Sequence, residues 1–339
     1  MIRVWMNNWF SQSADIIRLI KEENPDVYII ATNGVENPAI QKESDEWYIE
    51  GKGKASTEEE YIEYALGFCK EHKIDILMPL RKMVEISKNR EEFRRIGVKL
   101  IVPSEHQMME KLNSKIETYR MLEEVIPNNI PAYGVANNVR EFEKAVDTIL
   151  DLNRRVCFKY AEDIACRSFR IIEMGQSCID DLSKESKRGI KYRDAIEMLS
   201  STEEFKDIIV MELLDGYEVS CDCLRVGNTN IVIPRIKLNT RIQEVSMHKK
   251  LMDTCNKILD TIKYDAPCNI QFKMTEDGEP MLLEINTRMS GGVQIASWAT
   301  KINLPSIVIN KFLGKEVEFK RHWEDVKMVV REKYDIIKE

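Results

Sequence analysis

Three polar side chains at alternate positions form the part of the sequence best suited to chemistry. Glu284, Asn286 and Arg288 occur in the run Leu-Glu-Ile-Asn-Thr-Arg. Alternate residues of an extended chain project from one face, so these three side chains would lie side by side. Carboxylate and amide oxygens suit a hard cation such as Mg2+, and a nearby arginine can hold a phosphate or stabilise a developing negative charge. The spacing indicates a site for a metal and a phosphate.

The surrounding sequence predicts a β-hairpin that carries these residues. Strand-like runs at 269–274 and 280–286 flank Thr-Glu-Asp-Gly-Glu, a strong turn signal. Leu283 and Ile285 would face a core, and Gln271 on the partner strand could add a second amide oxygen to the polar face. A surface hairpin whose polar face is simply solvated is the alternative.

The run Leu-Glu-Ile-Asn-Thr-Arg-Met-Ser-Gly-Gly at 283–292 resembles the metal-binding signature of ATP-grasp enzymes. The likeness is greatest to the branch that contains carbamoyl-phosphate synthetase and the amino-acid ligases. It implies ATP and Mg2+, or Mn2+, as cofactors. It also implies that Gln271, Glu284 and Asn286 hold the metal and that Arg288 is catalytic.

A second segment resembles the adenine-binding hinge of the same family. Residues 211–222 read Met-Glu-Leu-Leu-Asp-Gly-Tyr-Glu-Val-Ser-Cys-Asp, a strand, a turn and the start of another strand. The resemblance implies that Glu212 and the backbone of Leu213 and Leu214 face adenine. It implies that Glu218 accepts the ribose hydroxyls.

Further nucleotide contacts follow from the same resemblance. Lys115, near the start of a helix, corresponds to a lysine that contacts a nucleotide phosphate, and Lys159 ends an apolar strand whose lysine reaches the α-phosphate and adenine. The family then has a glycine-rich loop over the phosphates, but residues 161–170 contain no glycine. Without glycine a close approach of the backbone to phosphate is harder. Side-chain contacts from Arg167 and Ser168 are expected to replace it.

A basic group precedes the hairpin. Arg235 and Lys237 lie on one face of a predicted strand at 230–238, and Arg241 follows in a polar loop. Clustered cations suit a carboxylate or phosphoryl group, so Arg235 and Lys237 are predicted to be catalytic. A solvated basic turn is the alternative.

The first hundred residues alternate between apolar strand runs and amphipathic helices, a pattern that predicts a parallel sheet with helices on both faces. The loop at 7–13 lacks the glycines of a dinucleotide-binding fingerprint, which excludes NAD or FAD binding there. The resemblance implies that such a domain contributes to the acceptor site. Arg81, after the predicted strand 74–79, would lie at the edge where open sheets bind ligands, or be a solvated loop residue.

These patterns predict an α/β protein, with α+β character in the nucleotide-binding part. The predicted organisation is an N-terminal α/β domain at 1–104 that precedes a two-lobed ATP-grasp domain. The first lobe, with its leading helices, would span 105–205. The second lobe, with the metal hairpin, would span 206–339.

Composition and charge narrow the functional classes. The chain has 339 residues, a net charge of −7 and eight scattered cysteines, so a general nucleic-acid-binding role is disfavoured. The close pair Cys221 and Cys223 is expected to be buried rather than metal-binding. The cysteine usage, the lack of a secretory pattern and the lack of a membrane-length apolar run predict a cytoplasmic protein that does not bind membranes.

We therefore expect an ATP-dependent carboxylate–amine ligase that forms an acyl phosphate and ADP on a small, amino-acid-like substrate. Small carboxylates and amines would be its partners, and a homodimer is a form that many relatives take. Two alternatives stay open: an enzyme that phosphorylates bicarbonate or carbamate, and a nucleotide-binding regulatory protein without turnover.

Overall fold

The computed structural model describes residues 1–50, 57–162, 167–175 and 188–331. Contacts between Cα atoms divide the chain into two compact units. Unit 1 consists of Met1–Glu110, Tyr217–Gln271 and Ile285–Glu339, and unit 2 of Lys111–Gly216 and Phe272–Glu284. The three-part division predicted from the sequence stays a prediction. Within the described ranges, no helix is long and apolar enough to cross a membrane.

The N-terminal region of unit 1 contains the predicted parallel sheet. Its strands, in the spatial order β3-β2-β1-β4-β5, are β1 (Ile2–Asn7), β2 (Val27–Asn33), β3 (Glu46–Ile49), β4 (Ile76–Pro79) and β5 (Lys99–Leu100). All neighbouring pairs are parallel. The central strands are almost continuously apolar because a parallel sheet is covered on both faces.

Helices connect these strands. They are α1 (Ser13–Glu23), α2 (Pro38–Glu43), α3 (Glu58–Glu71), α4 (Met83–Lys88) and α5 (Arg90–Arg95). Helix α3 begins with a full capping box, in which the Thr57 and Glu60 side chains each bind the other residue's backbone N–H. Helices α4 and α5 are separated by Asn89.

Unit 2 contains a mostly antiparallel sheet in the order β6-β10-β7-β8-β9. Its strands are β6 (Tyr133–Ala136), β7 (Val156–Tyr160), β8 (Arg170–Glu173), β9 (Gly189–Lys191) and β10 (Ile208–Glu212). Its helices are α7 (Lys115–Leu122), α8 (Val139–Asp151) and α9 (Tyr192–Leu199). Helix α6 (His106–Asn113) precedes them and begins in unit 1. Apolar side chains of α8 and α9 pack with those of the sheet in one buried cluster.

A third sheet has the order β15-β14-β11-β12-β13-β16. Its strands are β11 (Glu218–Val226), β12 (Thr229–Lys237), β13 (Ile242–Val245), β14 (Cys268–Met274), β15 (Pro280–Asn286) and β16 (Val326–Val329). The remaining helices are α10 (Lys249–Ile262), α11 (Val293–Thr300) and α12 (Leu304–Leu313). The division into units falls within β14 and β15.

The N-terminal and C-terminal parts of unit 1 share one core. Apolar residues of β1, α1 and β2 are buried in the same cluster as residues of β12, α11 and α12. Polar contacts join α1 to α12: Asn24 Nδ2 donates to Ser306 Oγ (2.7 Å), and Asn303 Nδ2 donates to the Leu19 carbonyl (2.7 Å). Buried hydrogen bonds of this kind fix how two helices are placed against each other.

The predicted α/β class, with a parallel N-terminal sheet, is confirmed. The described residues of the segment 172–201 include β9 and the eight-residue helix α9. Strand β13 lies in the predicted polar loop after Arg241. It is recognisable only by its pairing with β12 and β16, because two of its four residues are polar.

Candidate active site

The predicted polar face of the hairpin exists on β15 and just beyond it. Glu284, Asn286 and Arg288 are all partly exposed, whereas the alternate residues Ile285 and Thr287 are buried. Glu284 belongs to unit 2, and Asn286 and Arg288 belong to unit 1. The alternation that motivated the metal prediction is therefore present in the structure.

Gln271 has a defined orientation on β14. Its Nε2 donates to Oδ1 of Asn269 (3.2 Å), two residues earlier on the same strand. With the nitrogen turned towards Asn269, the Oε1 corner of the amide lies on the other side. Oxygen, not the NH2 group, is what a hard cation binds, so this orientation fits the predicted role of Gln271.

The predicted donor set contains one carboxylate and two amide oxygens. Among the described residues, no group of three or more His, Cys, Asp and Glu side chains is arranged to hold a metal. Such a group is not what the prediction requires, since Gln271 and Asn286 supply amide oxygens. The donor chemistry suits Mg2+, which is bound by few protein ligands and completes its shell with water and phosphate oxygens.

Arg235 lies in a buried polar network beneath this face. Its side chain is 2% exposed, and its Nε donates to Asp222 Oδ2 at 2.7 Å. The two terminal nitrogens donate to Gln243, Ser220 and Ser290 at distances of 2.6–3.2 Å. Arg235 is therefore not an exposed cation beside Lys237, although the two residues share a face of β12 as expected.

Arg235 also explains why residue 292 is glycine. A Cβ atom at Gly292 would lie 2.5–2.8 Å from the guanidinium of Arg235. The adjacent Ser290 accepts from the Gly292 N–H (3.1 Å) and donates to Asp222 Oδ1 (2.6 Å). The turn after β15 is thus held against the buried ion pair.

Phe10, from the loop after β1, covers the other side of this turn. A Cβ at Gly291 would lie 3.5 Å from the Phe10 ring, and the Arg288 guanidinium carbon lies 5.6 Å from the ring centroid. This distance is typical of a cation–π contact. Arg288 Nη1 also donates to the Met289 carbonyl (3.0 Å). No local pattern pointed to Phe10, because it is nearly 280 positions from Arg288.

Lys237 forms an ion pair with Glu218. Glu218 begins β11 and Lys237 ends β12, and these strands are antiparallel neighbours. The structure thus brings together a lysine predicted to be catalytic and a carboxylate predicted to bind ribose. Both side chains are about a third exposed, at 37% and 30%, so a ligand can reach them.

Unit 2 contains the two predicted phosphate-binding lysines, and both are buried. Lys115 is 9% exposed and Lys159 is 8% exposed. The Lys115 ammonium lies 5.7 Å from the ring centroid of Tyr119, and Tyr119 in turn donates to the carbonyls of Leu282 (2.9 Å) and Leu283 (3.2 Å) on β15. Tyr119 was not predicted, and it ties α7 to the strand that carries Glu284.

A cavity of about 400 Å3 lies within unit 2, and neither Lys115 nor Lys159 lines it. Its lining includes Ser114 and Ile116, which flank Lys115, and Tyr160, which follows Lys159. Among the described residues, none of the ion pairs involves Lys159. A buried cation is costly unless an anion compensates it.

The residues of the predicted adenine hinge, Glu212, Leu213 and Leu214, differ in which of their polar groups already form hydrogen bonds within the protein. The Glu212 carboxylate accepts from the Ala132 N–H (2.9 Å) and lies 3.7 Å from Arg154, so it is engaged within unit 2. The Leu213 N–H donates to the Arg155 carbonyl (2.7 Å). In the described part of the chain, the Leu214 N–H and the Leu213 carbonyl form no backbone–backbone hydrogen bond. These two groups could pair with the edge of adenine.

The lid segment is only partly described. Ser168 Oγ accepts from the Tyr160 N–H (3.0 Å), and Arg167 is exposed. The rest of the predicted glycine-free loop, residues 163–166, lies outside the described residues.

Arg81, at the carboxyl edge of the N-terminal sheet, contacts two other side chains and is not simply solvated. Its Nη1 donates to Glu50 Oε2 (2.8 Å), and its guanidinium lies 5.1 Å from the Tyr61 ring centroid. Asn7, at the end of β1, accepts from the N–H groups of Leu80 (2.6 Å) and Arg81 (3.2 Å). This edge is the place where open α/β sheets bind ligands.

The cysteines on β11 are buried, as expected. Cys221 and Cys223 are both 0% exposed. Burial raises the pKa of both thiols above their ordinary value, which makes them unreactive at neutral pH.

The architecture is that found in the ATP-grasp superfamily: the chain has the ATP-grasp fold. Residues 204–334 match the family model described as "ATP-grasp in the biosynthetic pathway with Ter operon". A search among curated protein sequences gives no significant match.

Solved structures of this superfamily resemble nearly the whole chain. Biotin carboxylase from Campylobacter jejuni has a TM-score of 0.68 at 15% identity, covering 94% of this chain and 72% of that chain. N5-carboxyaminoimidazole synthetase from Staphylococcus aureus has a TM-score of 0.66 at 12% identity, covering 94% and 78%. L-amino acid ligase from Bacillus licheniformis has a TM-score of 0.62 at 12% identity, covering 92% and 74%. At these identities the likeness concerns the fold.

Proposed function

We propose that this protein is an ATP- and Mg2+-dependent carboxylate–amine ligase. The observation that carries the proposal is the polar face of the hairpin, where Glu284, Asn286 and Arg288 alternate with buried residues and Gln271 turns its amide nitrogen towards Asn269. The ATP-grasp fold supports the proposal. Within unit 1, the partly exposed Glu218 carboxylate supports the ribose assignment. Within unit 2, the buried Lys159, which has no ion-pair partner among the described residues, supports the phosphate assignment.

The reaction would proceed in two balanced steps. An oxygen of the substrate carboxylate attacks the γ-phosphorus of ATP, the bond from that phosphorus to the bridging oxygen breaks, and ADP and an acyl phosphate result. The amine then attacks the acyl carbon, and inorganic phosphate leaves with the loss of a proton from nitrogen. Mg2+ held by Gln271, Glu284 and Asn286 would neutralise phosphate charge during the first step.

The chain's own residues would supply binding and fixed positive charge. Arg288, held by Phe10 and the Met289 carbonyl, would stabilise charge that develops on the transferred group. Lys115 and Lys159 would bind phosphate oxygens, and the Leu213 carbonyl and Leu214 N–H would bind adenine. Glu218 would accept the ribose hydroxyls. No covalent nucleophile is required.

Phosphorylation of bicarbonate to carboxyphosphate is the second candidate. It uses the same first step, and solved structures with this fold include a carboxylase domain in complex with MgADP and bicarbonate, 15% identical to this chain. The hairpin sequence, which resembles the branch that contains both carbamoyl-phosphate synthetase and the amino-acid ligases, is compatible with either reaction, and the substrate requirement distinguishes them.

The decisive experiment measures Mg2+-dependent ADP release with amino-acid pools singly and in pairs, and with bicarbonate alone. Release that requires two amino-acid pools establishes the ligase, and release with bicarbonate alone establishes the second candidate. Glu284→Ala and Asn286→Ala should abolish release. Glu276→Ala, an exposed carboxylate in the hairpin turn, is the matched control and should keep it. Unchanged release in Glu284→Ala would refute the metal assignment.

A further inference from the structure

Asp222 lies at the centre of the buried network in unit 1. Its side chain is 1% exposed. Oδ2 accepts from Arg235 Nε (2.7 Å), and Oδ1 accepts from Asn269 Nδ2 (2.9 Å) and Ser290 Oγ (2.6 Å). A buried carboxylate needs this degree of compensation. Arg235 balances its charge, and the other two contacts link it to β14 and to the turn after β15.

The Asp222 carboxylate, together with the Cys221 carbonyl, fixes the orientation of Asn269. A carboxylate only accepts hydrogen bonds, so the amide nitrogen of Asn269, not its oxygen, must face Asp222. The same nitrogen donates to the Cys221 carbonyl (3.1 Å). The Asn269 oxygen then accepts from Ser220 Oγ (3.0 Å) and Gln271 Nε2 (3.2 Å). Asn269 is 0% exposed, so solvent does not offer alternative partners.

The orientation of Gln271 follows from that of Asn269. Because the Asn269 side presents an acceptor, Gln271 must turn its NH2 group inward, and its oxygen lies at the opposite corner of the amide. If Asn269 were reversed, Gln271 would present its NH2 group to the cation instead. NH2 is a donor and cannot bind a metal.

We propose that Asp222, with Arg235 balancing its charge, is a positioning residue that sets the polarity of the Asn269–Gln271 amide chain and so directs the Gln271 oxygen to the divalent cation. The inference rests on the proposed function. The proposal also changes the role of Arg235, whose guanidinium balances the charge of Asp222 and does not contact the substrate. The hydrogen bond from Ser290 to Asp222 also holds the turn next to Arg288 in place.

The test is a double-mutant cycle read by metal binding. Mn2+ affinity is measured by electron paramagnetic resonance in the presence of a non-hydrolysable ATP analogue, for wild type, Asp222→Asn, Gln271→Glu and the double variant. Asparagine at 222 can turn its NH2 group towards Asn269 and allow the chain to reverse. We expect Asp222→Asn to weaken Mn2+ binding by tenfold or more, as is typical for residues that orient metal ligands.

The Gln271→Glu background distinguishes a reversal of the amide groups from general damage to the structure of the site. A carboxylate presents an oxygen in either orientation, so Asp222→Asn should cost little or nothing in that background. An equal loss in both backgrounds would mean a purely structural role and would overturn the proposal, as would unchanged affinity in Asp222→Asn alone.

Two further variants keep the test decisive. Asp260→Asn removes the carboxylate from another ion pair of β11, with Arg225 (2.8 Å), and should leave Mn2+ affinity unchanged. If Asp222→Asn alone does not fold because Arg235 is left uncompensated, combining it with Arg235→Met removes both charges, and the comparison between the two backgrounds at 271 is repeated. Failure of the proposed function appears differently: wild type would not bind Mn2+ with the analogue, or Glu284→Ala would bind it normally.

Discussion

Glu218 and Lys237 are ion-paired across the neighbouring strands β11 and β12. The carboxylate predicted to hold the ribose thus has a cation beside it. The pair is about a third exposed, so its own contribution to stability is small. We propose that Lys237 orients the Glu218 carboxylate for ribose. On this proposal Lys237, predicted from the sequence to be catalytic, serves nucleotide binding instead.

Glu218→Gln should weaken the binding of a non-hydrolysable ATP analogue by roughly tenfold to a hundredfold. A hydrogen bond to a charged group contributes about 1.5–3 kcal/mol, and each 1.4 kcal/mol or so is a factor of ten in affinity. Titration calorimetry measures the effect. The 2′-deoxy analogue should lose less affinity in the variant than the ribose form does. Glu244→Gln, a partly exposed carboxylate on β13, should bind like wild type; if Glu218→Gln does so too, the ribose assignment is wrong.

Gly292→Ala should be destabilising, because the added methyl would lie 2.5–2.8 Å from the Arg235 guanidinium. Overpacking of this kind typically costs about 1–3 kcal/mol. The measurement is the free energy of unfolding in urea, with ADP release as a second readout. Gly291→Ala is a close control, since its methyl would meet only the Phe10 ring at an ordinary 3.5 Å. Equal stability of the two variants would contradict the close packing of the turn after β15 against the Arg235 guanidinium.

Lys159→Met should weaken binding of the ATP analogue by tenfold or more without lowering the melting temperature. The reason is that Lys159 is 8% exposed and has no ion pair among the described residues, so replacing its charge with an apolar chain removes a desolvation cost. Calorimetry measures the affinity for the ATP analogue, and a thermal melt measures the melting temperature. Lys206→Met, at an exposed position of unit 2 that lines the cavity, is the comparison. A lower melting temperature with unchanged affinity would indicate a structural lysine.

Glu46 predicts a pH dependence of stability. Hydrogen bonds from Tyr48 and Arg3 lower the pKa of its carboxyl group from 4.5 to about 2. A lowered pKa in the folded state means that the stabilisation is present above pH 4.5 and is lost as the pH falls towards 2. Glu46→Gln should therefore cost about 1 kcal/mol at pH 7, a partly screened contribution, and almost nothing near pH 2.

Denaturant unfolding at several pH values between 7 and 2 checks the prediction for Glu46. Glu36→Gln, at an exposed position, serves as the reference and should change stability little throughout. A difference between Glu46→Gln and wild type that did not shrink on acidification would refute the assignment.

The sequence predicted the elements that local periodicity specifies. The alternation at 283–288 was sufficient to place Glu284, Asn286 and Arg288 on one face, because a strand has only two faces. Buried strands such as β1 and β4 were also recognisable, since a parallel sheet requires apolar runs. The resemblance to ATP-grasp enzymes added the fold, which the solved structures confirm.

Contacts between distant segments were not predictable in this way. Nothing local in the sequence indicated that Arg235, Asn269 and Ser290 would converge on Asp222. Such convergence depends on the order of strands in the sheet, which hydrophobic periodicity does not specify. Short elements such as α2 and β3 were missed for a related reason: they contain few apolar residues and are stabilised by their neighbours.

The shared core of unit 1 has a practical consequence for dissecting this protein. The match to the family model begins at residue 204, yet side chains of α11 and α12 are buried in one cluster with Val4, Ile16 and Ile29. A fragment that starts at residue 204 would expose that apolar surface to water. It would also lose the Asn24–Ser306 hydrogen bond and the Phe10 ring beside Arg288. Such a fragment is expected to aggregate, so expression and crystallisation are best pursued with the N-terminal sheet retained.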